Sequence, residues 1–174
     1  GIKVRQGGFQ VGENGVEPLR LGVQAAAWAG MPVMVHIANG VPVDQVLSLL
    51  RSGDIVTHCY QGTGDGVVDD SGAVVAEVWA ARERGVLFDL GHGGGSFDYG
   101  VAISALANGF LADVISTDLH ASSWDSPIES MPETASKLLN LGVSFERVVH
   151  QSTTAAAGAI GRADELGTLR VGRC

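Results

Sequence analysis

The sequence has little of several features that mark whole classes of protein. Its two cysteines, Cys59 and Cys174, provide neither a disulfide framework nor the spacing of a zinc finger. Aromatic residues make up only 6% of the chain, and no apolar run approaches the roughly 20 residues that a membrane helix needs. The 11 Lys and Arg residues form no cluster that could follow a phosphate backbone. We therefore expect a cytoplasmic protein that binds neither membranes nor nucleic acid.

Small and apolar residues are abundant instead. Hydrophobic residues make up 45% of the 174 positions, glycine occurs 25 times, and the mean hydropathy is +0.21. This length is enough for one domain with a sizeable core. The composition is typical of tightly packed α/β proteins.

Apolar runs alternate with helical patterns along the chain. Strands are predicted to begin near residues 2, 33, 55, 86 and 113, which indicates parallel strands joined by crossover helices. Because a complete (β/α)₈ barrel usually needs about 250 residues, the candidates are a partial barrel and a smaller doubly wound sheet. The predicted helices are Glu17 to Ala29, 45–51 with Asp44 as its N-cap, 72–84, 99–109, 132–141, 144–150 and 153–160, and the last strand is Val114 to Thr117.

Metal-ligand residue types recur where the predicted strands end. Catalytic residues of parallel α/β folds collect at the carboxyl ends of strands. Each such strand-end residue, taken alone, has an ordinary structural explanation: a histidine can be held by hydrogen bonds, and an aspartate can cap the helix that follows. Two imidazoles and a carboxylate together suit Zn²⁺, with one position left for water. The strand-end residues are Lys3, His36, His58, Asp89 with His92 after it, and Asp118 with His120 after it.

A glycine-rich segment, GHGGGSFDYG at residues 91–100, follows the fourth predicted strand. It lacks the Lys-Ser/Thr pair of a phosphate-binding loop. We favour a substrate-facing loop over a purely structural turn, because the glycines would let backbone N–H groups approach a ligand. His92, Asn39 and His120 are the candidate substrate-binding residues, with a capping or rim role as an equal alternative for Asn39 and His120. Cys59, His150, Trp28, Trp79 and Trp124 are interpreted as structural or packing residues.

Five short motifs, taken in order and spacing, resemble one known family. They are GIKVR, PVMVHIAN, DIVTHCYQG, FDLGHGGGSFDYG and VISTDLH. Together they are similar to the second half of the amidohydrolase superfamily barrel, in its amidohydrolase/deacetylase branch related to dihydroorotases. The resemblance implies an α/β fold, a partial TIM-type barrel with about strands 4–8. It also implies one barrel domain over residues 1–174, with 165–174 starting a return to a small β-sandwich.

The resemblance also implies roles for individual residues. Lys3 matches a carbamylated lysine that bridges two metals, and His36 and His58 match ligands of the more exposed metal. Asp118 matches the ligand of the more buried metal that also serves as general base. The family's His-x-His pair is absent from this sequence, so two ligands of the buried metal have no counterpart here.

We therefore expect a zinc-dependent hydrolase with one or two Zn²⁺, cleaving an amide or ester bond of a small acylated molecule with a metal-activated water. A dihydroorotase-like cyclic amidohydrolase is one alternative. A second is a non-catalytic fragment that could form homo-oligomers through its open barrel edge, since the chain starts and stops within predicted strands. A nucleotide-binding domain is disfavoured because the glycine fingerprint of that fold is missing.

Overall fold

The computed structural model describes residues 1–123 and 130–173, and within them one sheet of parallel strands is found. The strands follow each other in the sheet in the same order as in the sequence, and every neighbouring pair is parallel. A doubly wound sheet reverses its strand order near the middle, whereas a barrel does not. The structure therefore shows part of a barrel. The strands are β1 Ile2–Gln6, β2 Val33–Ile37, β3 Ile55–Thr57 and β4 Leu87–Asp89.

Helices connect successive strands and cover one face of the sheet. Helix α2 (Glu17–Ala29) follows β1, α3 (Val43–Leu49) follows β2 and α4 (Ala76–Glu83) follows β3, which gives the repeated strand–helix unit expected from the sequence. Short 3₁₀ turns lie at Gly12–Asn14 and Ala121–Ser123. The α-helices are α1 Gly8–Val11, α2 Glu17–Ala29, α3 Val43–Leu49, α4 Ala76–Glu83, α5 Tyr99–Ala107, α6 Met131–Asn140, α7 Phe145–Ser152 and α8 Thr154–Ala159.

The alternation of side chains along β2 decides which of them reach the site. Val33, Val35 and Ile37 are buried in the main apolar core. Because successive residues of a strand point to opposite faces, Met34 and His36 lie on the other face, where they are half-buried. The core thus fixes the strand, and the strand presents His36 at its carboxyl end.

The prediction of a fifth strand over Val114–Thr117 was wrong, because the structure has no regular strand there. The described residues contain only one parallel bridge there, between Asp89 and Val114. The segment still runs beside β4, because backbone N–H groups of residues 90, 92 and 93 donate to carbonyl groups of residues 114, 116 and 117. Gly91 and Gly93 both have a φ of +49°, which turns the chain out of the extended conformation and interrupts the ladder.

Two helix starts also differ from the prediction. Helix α3 begins at Val43, after an extended Pro42, and Asp44 is not the N-cap. Asp44 lies in the first turn instead, where a carboxylate interacts favourably with the helix dipole. The helix predicted from residue 72 begins only at Ala76 because a turn precedes it, in which Asp69 Oδ1 accepts hydrogen bonds from backbone N–H groups.

Three residues predicted to have structural or packing roles differ in how far they are buried. Trp28 is 88% exposed, so its prediction as a packing residue was wrong, whereas Trp79 packs against the core. Cys59 is fully buried, and burial raises the pKa of its thiol well above the usual value, which fits an unreactive small residue. Trp124 and Cys174 lie outside the described residues.

Residues 165–173 form turns, bends and irregular segments, and a return to a β-sandwich stays a prediction.

None of the helices in the described part of the chain has the length and apolar character needed to cross a membrane.

Candidate metal and substrate site

A cavity of about 380 Å³ lies at the carboxyl ends of the strands. All four predicted metal ligands reach it from separate segments of the chain. A larger cavity, of about 870 Å³, lies at the opposite ends of the strands, and no histidine of the described residues lines it. The smaller cavity is therefore the candidate site. Its lining is Lys3, Arg5, His36, His58, Gly93, Gly94, Gly95, Ser96, Asp118, His120 and Ser123.

His58 presents one ring nitrogen to this cavity as a free lone pair. Its Nδ1 lies 2.5 Å from the backbone oxygen of Gly91, so Nδ1 carries the proton and donates it. The other nitrogen, Nε2, is buried and has no hydrogen-bond partner among the described residues. It lies 3.8 Å from Oδ2 of Asp118. A second hydrogen bond that fixes the tautomer in this way is typical of metal-binding histidines.

His36 lies directly beside His58. Their ring centroids are 4.3 Å apart and the rings are nearly perpendicular. Burial lowers the pKa of His36 to about 4, helped by the neighbouring cationic groups. Burial also lowers the pKa of His58, against the effect of its hydrogen bond to Gly91. Both rings are therefore neutral near pH 7, which is the form that binds a metal.

Two of the site residues have a strained backbone. The φ of His58 is +69° and that of Asp118 is +48°, in the left-handed region that side chains other than glycine seldom occupy. Such strain concentrates at functional sites, where the surrounding structure holds it. In both cases it turns the chain sharply at the end of a strand segment and directs the side chain into the cavity.

Lys3 enters the cavity from the edge strand β1. Burial lowers the pKa of its amine, and the nearby carboxylates of Asp118 and Asp89 oppose this shift. A lowered pKa increases the fraction of neutral amine. The protonated amine is unable to bind a cation, so this shift favours the role that the family resemblance implies for Lys3.

The residues present fit a divalent metal ion, although they do not enclose one. The neutral imidazoles, the unpartnered Nε2 of His58 and the carboxylate of Asp118 are donors that suit Zn²⁺. Among residues 1–123 and 130–173, however, no three His, Cys, Asp or Glu side chains converge into a metal-binding group. A closed ligand shell would therefore need Lys3 or ligands from beyond these residues.

The predicted substrate residues are in three different places. His120 lines the cavity, and its Nδ1 lies 2.7 Å from the backbone oxygen of Asp118. Asn39 is exposed and outside the lining; its backbone N–H donates to Oγ1 of Thr63 at 3.4 Å. His92 is buried within the glycine-rich segment and is not among the residues that line the cavity.

Both ring nitrogens of His92 have partners within the protein. Nδ1 lies 2.6 Å from the backbone oxygen of Gly93, and Nε2 lies 2.7 Å from Nζ of Lys137 on α6. The ring also stacks on Phe97, with centroids 5.0 Å apart. In this conformation His92 supports the loop that lines the cavity. Direct substrate contact by His92, Asn39 or His120 stays a prediction.

The sequence reasoning missed two residues of the cavity, Arg5 and Ser123. Arg5 follows Lys3 by two positions in β1, so strand alternation places both on the same face. This signal was available in the sequence. Ser123 was not predictable in the same way, because its Oγ accepts a hydrogen bond from the backbone of His120 within an irregular segment.

Known proteins resemble this chain along nearly all of its length. It is 39% identical to a deacetylase of Agrobacterium fabrum over 99% of this chain and 42% of that protein. It is 34% identical to a deacetylase of Enterococcus faecalis over 99% of this chain and 48% of that protein. The chain thus spans about half the length of these curated relatives. No protein-family model matches it.

Solved structures agree with the sequence relatives. A crystal structure described as an adenine deaminase is 34% identical, with a TM-score of 0.93 over 99% of this chain and 48% of that chain. Another, described as a dihydroorotase, is 38% identical, with a TM-score of 0.84 over 93% of this chain and 45% of that chain. The partial coverage agrees with the half-barrel seen in the fold. These likenesses identify the chain as part of a barrel of the amidohydrolase superfamily.

Proposed function

We propose that this chain forms part of the active site of a metal-dependent deacetylase-type hydrolase, which cleaves an amide or ester bond of a small acylated molecule. The observation that carries the proposal is the buried, unpartnered Nε2 of His58, facing the carboxylate of Asp118 in the cavity. A buried polar atom without a partner is costly unless something binds it. The relatives named deacetylases support the reaction class.

The proposed cofactor is Zn²⁺, one or two ions, held by His36, His58, Asp118 and a carbamylated Lys3. Bound Zn²⁺ would polarise a carbonyl group and lower the pKa of water. The second ion requires ligands from beyond the described residues, since the sequence has no His-x-His pair. The proposed setting is the cytoplasm, with a small-molecule substrate and possible association of two chains along β1.

Asp118 is the proposed general base. Its carboxylate is about half exposed to the cavity and lies beside the neutral ring of His58. It would accept a proton from the attacking water at a carboxylate oxygen and return it to the leaving group. The backbone oxygen of Asp118 is the group closest to Nδ1 of His120, which keeps that ring at the cavity wall.

A panel of acylated amino acids and hydroxy acids tests the proposal on the Zn²⁺-loaded protein. We expect release of acetate, followed by NMR, and its loss by at least about a hundredfold in Asp118→Asn. Asp65→Asn is the matched control, because Asp65 also has a positive φ of +46° but lies outside the cavity. Equal activity of Asp118→Asn and the unaltered chain would contradict the proposed role.

A dihydroorotase-like cyclic amidohydrolase is the second candidate, favoured by the 38% identity to a structure described as a dihydroorotase. Turnover of dihydroorotate without release of acetate from the panel would favour it. No turnover of either substrate, by a folded chain loaded with Zn²⁺, would favour the non-catalytic alternative.

A further inference from the structure

Lys137 joins helix α6 to the glycine-rich segment through His92. Its Nζ lies 2.7 Å from Nε2 of His92, and its side chain is only 14% exposed. An ammonium group has three donors and no acceptor, so Nζ donates this hydrogen bond and Nε2 accepts it. The other ring nitrogen, Nδ1, therefore carries the proton and donates it to the backbone oxygen of Gly93, at 2.6 Å. Lys137 thus selects one tautomer of a buried histidine.

The surroundings of His92 keep its ring in place and neutral. The ring stacks on Phe97, with centroids 5.0 Å apart and an angle of 12° between the planes. The charged groups that face it from α6 are Lys137 and Glu133, whose Oε1 lies 3.8 Å from Nζ of Lys137. Burial lowers the pKa of His92, the hydrogen bond to Gly93 opposes this shift, and the charge of Lys137 adds to it. The neutral ring is the form that accepts a hydrogen bond from Lys137.

Gly93 connects His92 to the wall of the candidate site. It lines the cavity, and its N–H donates to the backbone oxygen of Thr117 at 2.8 Å. Its φ of +49° is in the region that favours glycine. A Cβ on Gly93 would lie 3.2 Å from Oδ2 of Asp118, so the backbone of Gly93 packs closely against that carboxylate. A change in the direction of the Gly93 carbonyl would therefore alter the cavity wall beside Asp118.

We propose that Lys137 is a positioning residue of this site, which fixes the backbone of Gly93 beside Asp118 through its hydrogen bond to His92. The expected effect on turnover rests on the proposed function, and the inference adds to that function a residue outside the cavity lining. Lys137 contacts neither substrate nor metal in this role and transfers no proton. A side chain that only filled space could be replaced by methionine, whereas the proposed role requires a charged donor.

The tautomer of His92 in the unaltered 174-residue chain is the first test. In ¹⁵N NMR at pH 7 the ring should be a single neutral tautomer, protonated at Nδ1 and unprotonated at Nε2. The signals are assigned by their loss in His92→Gln. A ring protonated at Nε2, or a mixture of both tautomers, would overturn the proposal without any further variant.

Lys137→Met is the second test, because it keeps a long side chain and removes the donor. The single tautomer should be lost, and the pKa of His92 should move up toward 6.5. Hydrogen exchange of the Gly93 N–H should become at least about tenfold faster, as for loss of a hydrogen bond to a charged group. Lys137→Arg keeps a charged donor and should restore part of the protection. Arg147→Met removes one positive charge from an exposed position on α7 and should change none of these signals.

Turnover separates this proposal from the proposed function. On the Zn²⁺-loaded chain, Lys137→Met should lower kcat for release of acetate by at least about tenfold, and Lys137→Arg should recover part of the loss. A tautomer and a Gly93 exchange rate that survive Lys137→Met, or an unchanged kcat, would overturn the proposal. Changed NMR signals with no release of acetate by any chain, the unaltered one included, would instead refute the proposed function and leave Lys137 as the residue that fixes the loop.

Discussion

Because a hydrogen bond to the backbone of Gly91 holds the ring of His58, we expect Gly91→Ala to lower both the stability of the fold and the metal affinity of the site. Gly91 is buried with a φ of +49°. A Cβ there would collide with Oγ1 of Thr57 and lie 3.0 Å from both Oδ2 of Asp89 and Nδ1 of His58. The left-handed backbone and the overpacking together should cost about 2–5 kcal/mol of unfolding free energy.

Gly91→Ala should also weaken metal binding at the site. Moving the Gly91 carbonyl releases Nδ1 of His58, and loss of such a supporting hydrogen bond typically lowers metal affinity by about ten- to a hundredfold. Urea denaturation would measure the first effect, and titration with Zn²⁺ would measure the second.

Gly95→Ala is the matched control in the same loop. A Cβ at Gly95 meets nothing within 4 Å, and its φ is not in the left-handed region. It should change the unfolding free energy by less than about 0.5 kcal/mol. If Gly91→Ala were as stable as Gly95→Ala, with unchanged Zn²⁺ affinity, the account of how His58 is held would be refuted.

Two further predictions concern buried ionisable groups. Burial alone would raise the pKa of Asp54, but hydrogen bonds from Arg51 and the Val33 N–H lower it, so Asp54→Ala should cost about 3–5 kcal/mol in urea denaturation. Asp44→Ala, which removes no such partners, should stay within about 1 kcal/mol, and similar losses in both would contradict this role. In the metal-free chain the His36 ring should titrate by NMR near its pKa of about 4. The unfolded state binds a proton on His36 more readily than the folded state does. The free energy of unfolding should therefore fall as the pH drops from 6.5 to about 4, and this part of the pH dependence should be absent in His36→Gln.

The sequence predicted the parts of this molecule that depend on local pattern. The apolar composition of residues 32–37 predicted a strand, and the alternating burial of Val33, Val35 and Ile37 in the structure explains why His36 reaches the site. His58 was predicted as the residue that ends an apolar run, but its direction depends on its positive φ of +69°, because all three residues of β3 are buried and show no alternation. The spacing of strands and helices left a partial barrel and a doubly wound sheet as alternatives. The resemblance to the amidohydrolase superfamily favoured the partial barrel, and the strand order of the structure confirms it.

Features that depend on tertiary contacts were not predictable in this way. The strand expected after residue 113 is interrupted by the turns at Gly91 and Gly93 in the neighbouring segment. Trp28 has the composition of a core residue, but it lies on a face of α2 that the described residues leave exposed. The engagement of both nitrogens of His92 depends on Lys137, which lies 45 positions away in the chain.

The metal content of the purified chain tests the central claim most directly. After incubation with Zn²⁺ and removal of excess metal, elemental mass spectrometry should find about one Zn²⁺ per chain, as for a site of two imidazoles and a carboxylate. His58→Ala should lose it, whereas His150→Ala, outside the cavity, should keep it. A folded chain without metal, or one whose metal survives His58→Ala, would contradict the assignment of this cavity as a metal site.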